Sequence, residues 1–285
     1  MALSFGVSTW VWTSPFNSET VQLFPKIKKM GFDVVEIPVE DPDLVDGPRV
    51  KESLREHGLE AVICGAFGPG RDFTSDDPSI HQDCFDYMDA LMDLADQLDT
   101  GFVAGPMYSA VGKARMVSPE QRKTEWKRAV TNLREVAKKA DDRGLELAIE
   151  PLNRFESDLI NTTEDALRLV NDIDHDAAKI MVDGFHMSIE EHNLEEAIKV
   201  AGDKLIHVQV SENYRGTPGT GQTDWDSFRR GLEAIDYSGY VNIESFTSDN
   251  QELADAVCIW KPFAEDQDQL AEEGLAFIKE TFKIN

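Results

Sequence analysis

The chain has 285 residues, of which 54 are acidic and 28 basic, so its formal net charge is −26. This balance excludes a basic nucleic-acid-binding protein and argues against an anionic membrane surface as the partner, because both rely on Lys and Arg contacts to phosphate. Apolar residues make up 41% of the chain, which is enough for a sizeable core.

Short apolar runs rich in β-branched residues alternate with amphipathic stretches along the whole chain. The runs predict eight strands: Leu3–Ser8, Val34–Pro38, Glu60–Cys64, Phe102–Gly105, Glu146–Glu150, Lys179–Val182, Leu205–Val210 and Tyr240–Glu244. The stretches between them predict helices: Ser18–Lys29 with Ser18 as its N-cap, Pro48–His57, Ser79–Leu98, a long helix from Ser118 to about Gly144, one after Thr163, Asn193–Val200, Asp226–Ala234, and a last helix over Leu253–Phe282 that Pro262 can break.

A recurrent phrase joins these elements. Gly31, Gly58, Gly101 and Gly144 each precede an apolar run, which is the pattern of a helix, a glycine cap and a strand. Strict alternation predicts parallel strands, and eight such units fit one (β/α)8 TIM barrel over residues 1–285 as a single domain. An open doubly wound sheet is the alternative, but it calls for a Gly-rich turn after the first strand, and residues 8–12 contain no glycine.

The cellular setting is an expectation from composition. No apolar run approaches the roughly 20 residues of a membrane helix. Cys64, Cys84 and Cys258 form neither a CxxC motif nor an even disulfide framework, so we expect a reducing cytoplasm. The acidity is typical either of an ordinary acidic enzyme or of a salt-adapted protein, whose carboxylates keep it soluble where salt screens charge.

Polar residues follow the predicted strands at the end where a TIM barrel carries its active site. Four consecutive strands offer an oxygen donor there: Glu150, Asp183, Gln209 and Glu244. Oxygen donors of this kind suit Mn²⁺, Mg²⁺ or Co²⁺ better than they suit zinc sites rich in Cys and His. The alternative is that these acids pair with Arg154, Arg215 or lysines.

Further candidates surround these four residues. Glu156, His186 and Arg215 follow three of the strands, and Cys64 ends the third strand as a candidate wall of the pocket. Trp12 and Tyr108 are candidates to pack on the carbon chain of a substrate. The glycine-rich segment 216–221 is compatible with a phosphate-binding loop or with a flexible lid over a neutral substrate.

Together these segments resemble a known family. They are Ile149-Glu-Pro-Leu-Asn-Arg-Phe-Glu156, Val182-Asp-Gly-Phe-His-Met187, Ser211-Glu-Asn-Tyr-Arg-Gly-Thr-Pro-Gly-Thr-Gly221 and Ile243-Glu-Ser-Phe246. In this order and spacing they resemble the D-tagatose 3-epimerase / D-allulose (D-psicose) 3-epimerase family, which belongs to the xylose isomerase-like TIM barrels, a group of sugar phosphate isomerases/epimerases. The likeness covers nearly the whole chain.

The resemblance implies roles for individual residues. Glu150, Asp183 and Glu244 match the ligands of one divalent metal ion, with Mn²⁺ expected and Mg²⁺ or Co²⁺ as alternatives. Glu150 and Glu244 also match the acid/base pair. Three more residues match those that hold the hydroxyl and carbonyl oxygens at the C1–C3 end of the sugar: Glu156, His186 and Arg215. The family usually has His at the fourth ligand position, where this chain has Gln209, as related hydroxypyruvate isomerases do.

The expected activity is that of a ketose 3-epimerase, which inverts C3 of a free ketohexose of the D-tagatose, D-fructose or D-allulose type through a metal-stabilised enediolate. The alternatives are an aldose–ketose isomerase such as hydroxypyruvate isomerase, a keto-polyol dehydratase and a non-catalytic sugar-binding protein. Endonuclease IV shares the barrel, but the net charge and the His-poor site argue against it. We expect a small sugar as the partner, no nucleic acid or membrane, and a homo-oligomer, either a dimer or a tetramer.

Overall fold

Eight parallel strands close into a barrel in chain order in the computed structural model, which describes residues 3–283. They are β1 Ser4–Ser8, β2 Val34–Val39, β3 Glu60–Gly65, β4 Phe102–Gly105, β5 Glu146–Ile149, β6 Ala178–Asp183, β7 Leu205–Val210 and β8 Tyr240–Ile243. The open sheet is ruled out because β1 pairs with β2 on one edge and with β8 on the other. The predicted TIM barrel is confirmed.

Helices follow the strands and surround the barrel. They are α1 Phe24–Met30, α2 Gly47–His57, α3 Pro78–Leu98, α4 Pro119–Asp141, α5 Thr163–Ile173, α6 Gly184–Glu190, α7 Leu194–Ala201, α8 Trp225–Ala234, α9 Gln251–Val257 and α10 Gln267–Thr281. The predicted last helix is two helices, with Pro262 between them. No helix within residues 3–283 is long and apolar enough to cross a membrane.

Two helix boundaries differ from the prediction. Ser18 does not cap a helix, because its hydroxyl donates to the carbonyl of Leu44 (3.1 Å) and accepts the N–H of Asp46 (2.8 Å). The predicted cap at Gly101 is also wrong. Asp99 ends α3 in the left-handed conformation (φ 57°), which Asp tolerates because its side chain is short and polar.

The barrel interior is divided into an apolar and a polar half. Alternate strand residues point inward. Its apolar part is a buried cluster: Val34, Val62, Cys64, Phe102, Ala104, Ala148 and Met181. The larger core lies between the strands and the helices. The polar side chains of the barrel interior therefore lie next to this packed apolar layer, towards the carboxyl ends of the strands.

Candidate active site

A cavity of about 650 Å³ opens at the carboxyl ends of the strands. Most of the predicted site residues line it, namely Cys64, Glu150, Glu156, His186, Arg215 and Glu244. Asp183 and Gln209 are fully buried, and hydrogen bonds join both of them to residues of the cavity wall. The structure thus brings together side chains that come from four neighbouring strands and the loops that follow them.

Arg215 is the centre of this group. Its Nη1 donates to Asp183 and to Glu244 Oε2 (2.9 Å), so the alternative that these acids pair with an arginine holds for both of them. The guanidinium carbon lies 4.0 Å from the ring centre of Phe185 and 5.1 Å from that of Phe246. The backbone of Arg215 is left-handed (φ 67°), a conformation that costs a non-glycine residue about 1 kcal/mol or more. Arg154 instead binds Glu190 at the surface.

Negative charge exceeds positive charge in the cavity. Glu150, Glu156, Asp183 and Glu244 face a single guanidinium, that of Arg215. Burial raises the pKa of Glu150 well above its usual range, and the nearby Glu244 and Asp183 raise it further. Burial also raises the pKa of Glu244 to about 8, although Arg215 opposes this shift. The site therefore favours the binding of further positive charge.

His186 is a neutral, buried ring at the cavity wall. Burial and the neighbouring Arg215 hold its pKa well below the usual value. Its Nδ1 accepts the backbone N–H of Asn153 (3.0 Å), and its Nε2 lies 3.1 Å from Nη2 of Arg215, which can only donate. Nε2 also lies 3.5 Å from Glu150 Oε1 and 3.7 Å from Asp183 Oδ2, and His186 lines the cavity. Both ring nitrogens therefore face donors, and Nε2 lies between Arg215 and the two carboxylates.

The donor set fits a hard divalent cation. Ligand atoms of Glu150, Asp183 and His186 lie within 4.8 Å of one another. The two carboxylates are the better ligands of this group for a hard cation, since both nitrogens of the His186 ring already face donors. Gln209 adds an amide oxygen that is buried and finds no donor among residues 3–283, an arrangement that costs about 1–3 kcal/mol unless a ligand satisfies it. Carboxylate and amide oxygens are ligands that Mn²⁺, Mg²⁺ and Ca²⁺ prefer.

Two predicted substrate contacts lie away from the cavity lining. The indole N–H of Trp12 donates to Asp268 (2.6 Å), and the hydroxyl of Tyr108 donates to the carbonyl of Ile160 (3.1 Å). Trp10 lines the wall instead, with its ring centre 5.4 Å from that of Phe246. Cys64 does line the cavity. Burial and the nearby Glu36 raise the pKa of its thiol, so Cys64 is an inert part of the wall.

The glycine-rich segment 216–221 encloses a carboxylate of the protein itself. Glu212 accepts the backbone N–H groups of Asn213 (3.0 Å), Gly219 (2.9 Å) and Thr223 (2.8 Å). The indole of Trp225 donates to the same carboxylate (3.2 Å). Since these backbone donors are occupied, the phosphate-binding interpretation of this segment is not supported.

Sequence reasoning missed two charged residues of the site. Glu36 lies inside β2, is fully buried, and accepts a hydrogen bond from Gln209 Nε2 (2.6 Å). Its signal was available, because it is a lone acid in the apolar run Val34-Val-Glu-Ile-Pro-Val39. Arg71 lines the cavity, but its guanidinium donates to the carbonyls of Ala66 (2.6 Å) and Glu40 (2.7 Å). No sequence pattern marked that loop residue.

The chain is similar in sequence and in fold to known proteins. A family model described as "Xylose isomerase-like TIM barrel" matches residues 24–281. A probable ketose 3-epimerase of Synechocystis sp. is 29% identical over 99% of this chain and 98% of its own. A ketose 3-epimerase of Arthrobacter globiformis is 31% identical over 98% of this chain and 96% of its own.

A solved structure is similar over the same length. The D-allulose 3-epimerase of Methylomonas sp., in complex with D-allulose, superimposes with a TM-score of 0.91 and 30% identity, covering 98% of this chain and 97% of that one. The resemblance found in the sequence motifs is thereby confirmed. The chain belongs to the xylose isomerase-like TIM barrel family, among relatives that are carbohydrate epimerases.

Proposed function

We propose that this protein is a ketose 3-epimerase that depends on a divalent metal and acts on a free ketohexose of the D-tagatose, D-fructose or D-allulose type. The observation that carries the proposal is the pair of buried carboxylates, Glu150 and Glu244, which come from different strands and line one cavity. The relatives named ketose 3-epimerases support the reaction type.

In the proposed reaction the two carboxylates act in turn. One removes the proton from C3 of the ketose, and the other returns a proton to the opposite face, which inverts the centre without a redox cofactor. Burial raises the pKa of both Glu150 and Glu244. A raised pKa brings each carboxylate closer to the pKa of an effective general base at neutral pH. Arg215 would donate to the substrate oxygens near C2, and His186 and Glu156 would contact the oxygens at that end of the sugar.

The metal would be held by Glu150, Asp183, Gln209 and Glu244. When bound, a divalent cation supplies Lewis-acid stabilisation of the negative charge that develops on the substrate oxygens. Mn²⁺ is the ion we propose, because it accepts carboxylate and amide oxygens as ligands. Within residues 3–283 the unpartnered Gln209 Oε1 supports this assignment, as does the excess of carboxylates around Arg215.

An unphosphorylated sugar is the better substrate. Both arginines that line the cavity are already bound to the protein, since Arg71 donates to two backbone carbonyls and Arg215 to two carboxylates. Three further acids, Glu40, Asp41 and Glu252, also line the cavity. A phosphate group would meet like charge there without a free cation to balance it.

Proton exchange tests the function. Protein reconstituted with Mn²⁺ is incubated in deuterated water with a panel of ketoses and aldoses. We expect deuterium at C3 of a ketose, whereas label at C1 or C2 during aldose–ketose interconversion would indicate an isomerase. The matched variants Glu150→Gln and Glu244→Gln should each stop epimerisation, while the remaining carboxylate exchanges the C3 proton of only one epimer. Exchange with no sugar would contradict the proposal.

The setting of the enzyme is also proposed. We infer a cytoplasmic homo-oligomer: Cys64, Cys84 and Cys258 are unpaired, and Met116 (99% exposed) and Phe155 (71% exposed) are apolar side chains that a subunit contact would cover. Light scattering measures the mass directly, and a monomer would contradict this inference.

Salt adaptation is the interpretation we propose for the net charge of −26. Repulsion among surface carboxylates weakens as salt screens them, so salt should stabilise the folded chain. The midpoint of thermal unfolding is expected to rise between low salt and molar KCl. Full activity and stability without added salt would instead indicate an ordinary acidic enzyme.

A further inference from the structure

The carboxylate of Glu36 lies in the barrel interior, in contact with the proposed metal ligand Gln209. The proposed reaction gives this carboxylate no role. Glu36 of β2 is fully buried and is not part of the cavity lining. We propose that Glu36 is a positioning residue, which fixes the amide of Gln209 so that its carbonyl oxygen faces the metal. The inference rests on the proposed metal-dependent function, and it assigns a role to a residue that function leaves unused.

The orientation of the Gln209 amide follows from its partners. Its Nε2 donates to Glu36 Oε1 (2.6 Å) and to Glu244 Oε1 (3.1 Å), which uses both hydrogens of the amide. A carboxylate only accepts hydrogen bonds, so a flipped amide would place its oxygen against two acceptors. Glu36 makes the shorter of these two bonds. The amide therefore has one stable orientation against these two side chains.

This orientation leaves one polar atom for a ligand. Gln209 Oε1 is buried, and no donor among the described residues reaches it. A buried carbonyl oxygen without a partner is unfavourable, and a cation is the partner that the surrounding carboxylates also favour. Gln209 then does with one amide what a metal-ligating imidazole does with two ring nitrogens, donating to a carboxylate on one side and binding the metal on the other.

Glu36 is itself held by side chains of two further strands, β7 and β8. Its Oε2 accepts from His207 Nε2 (2.8 Å) on β7 and from Asn242 Nδ2 (3.0 Å) on β8. Gly6 on β1 makes room for this arrangement, because a Cβ there would lie 2.1 Å from Asn242 Oδ1. A carboxylate with three donors and no solvent contact has little freedom to move, which is what a positioning residue requires.

The test is metal binding in the nearly isosteric variant Glu36→Gln. The one amide oxygen of the new side chain would be taken by the donors His207 and Asn242, so its NH₂ group would face Gln209 and turn that amide over. Calorimetric titration of the metal-free protein with Mn²⁺ should show an affinity about 10- to 100-fold weaker than in the wild type. The electron paramagnetic resonance spectrum of bound Mn²⁺ should change as well.

A matched control separates positioning from general support of the barrel. Asn242→Leu removes another donor to Glu36 but keeps the Glu36–Gln209 bond, so we expect an affinity within about threefold of the wild type. In a Gln209→Leu background, which lacks the amide, adding Glu36→Gln should cause no further loss. Where Glu36→Gln does not fold, Glu36→Asp keeps the charge, withdraws the carboxylate from Gln209, and serves in the same comparison.

The outcomes distinguish this inference from the function on which it rests. Wild-type protein that binds no Mn²⁺ overturns the proposed function, and the inference falls with it. Wild-type protein that binds Mn²⁺ while Glu36→Gln binds it equally well overturns the inference alone. An equal loss with and without Gln209 would also overturn it, because the effect of Glu36 would then not pass through the amide.

Discussion

Two clusters of charged side chains lie at the same end of the barrel, and they differ in the balance of acids and bases. The cavity cluster is Glu150, Glu156, Asp183, Glu244 and Arg215, with four acids around one base. The rim cluster is Asp72, Lys113, Arg115, Arg122, Glu125 and Asp158, with three acids and three bases. Both are made of the same side-chain types, so composition alone does not distinguish them.

The rim cluster is satisfied within the protein. Lys113 reaches Asp72 at 2.6 Å, Arg115 reaches Glu125 at 2.9 Å, and Arg122 reaches Asp158 at 3.0 Å. These contacts join the loops after β3, β4 and β5 to α4. The rim cluster thus holds the wall of the cavity and has no charge left over for a ligand.

The cavity cluster has the opposite property. Burial raises the pKa of both Glu150 and Glu244, and the neighbouring carboxylates raise these pKa values further by repulsion. Buried charges without compensation are unfavourable, so the protein accepts a stability cost at this place that a cation can relieve. An imbalance of charge, rather than burial or the number of acids, therefore separates a binding site from a structural ion network. Variants of the two clusters test this difference.

The largest effect is expected on activity. Glu244→Gln should reduce kcat about 10²- to 10⁴-fold, because it removes one of the two proposed proton carriers. Glu125→Gln is the matched change in the rim cluster, and it should leave kcat within about threefold of the wild type, since Glu125 touches only the rim. Steady-state kinetics of both variants with Mn²⁺ measures the contrast. Equal losses would mean that the two clusters do not differ in role.

Metal should stabilise the protein through the cavity cluster. At a free Mn²⁺ concentration of 100 Kd we expect about 2.7 kcal/mol of added unfolding free energy, which a chelator reverses. Without metal, Glu150→Gln should be as stable as the wild type or more stable, because it removes one of the repelling carboxylates. Thermal and urea unfolding with and without metal measure both. A metal-free Glu150→Gln that is much less stable would contradict the imbalance argument.

The rim cluster should show the reverse pattern. Glu125 is 2% exposed, and its loss leaves Arg115 with Asp158 and leaves Lys113 with Asp72. We expect Glu125→Gln to lower the free energy of unfolding by about 1–3 kcal/mol, whether or not metal is present. Urea unfolding measures this loss, and calorimetry should find Mn²⁺ affinity unchanged. A weaker affinity would show that the rim positions the metal site.

The barrel and the strand-end residues of the site were predictable from the sequence. Both depend on local regularities, because alternation within strands places Glu150, Asp183, Gln209 and Glu244 at one end of a parallel barrel. The choice between Trp10 and Trp12 was not predictable, since they lie in and beside a 3₁₀ turn (Thr9–Val11) where strand alternation no longer applies.

Contacts that close through space were also beyond sequence patterns. Glu212 fills the glycine-rich segment because the chain folds back on itself there, and a motif without neighbours resembles an empty phosphate loop. Glu36 is a lone acid in the apolar run of β2, and the sequence does not show which residues it contacts. Only the folded barrel shows that Glu36 accepts hydrogen bonds from side chains of the distant strands β7 and β8.

The smallest effect is expected at the outer edge of the rim cluster. Burial raises the pKa of Asp158, but hydrogen bonds from Arg122 and Arg115 outweigh it and hold the pKa below its usual value. A carboxyl with a lowered folded pKa stabilises the protein above its unfolded pKa of about 3.9, and this stabilisation is lost as the pH falls through the folded value. Asp158→Asn should therefore be less stable by up to about 1 kcal/mol at pH 7.

That difference should begin to fade as the pH falls from 7 towards 3, and it should vanish only below the lowered folded pKa of Asp158, where the wild-type carboxyl is also neutral. It should also shrink in 1 M salt, because Arg115 and Arg122 are partly exposed and their pairing is screened. The loss from Glu125→Gln should persist in salt, since Glu125 is buried. Urea unfolding of both variants at the two pH values and two salt concentrations measures this. A salt-independent loss at Asp158 would mean that packing, and not charge pairing, holds this edge of the rim.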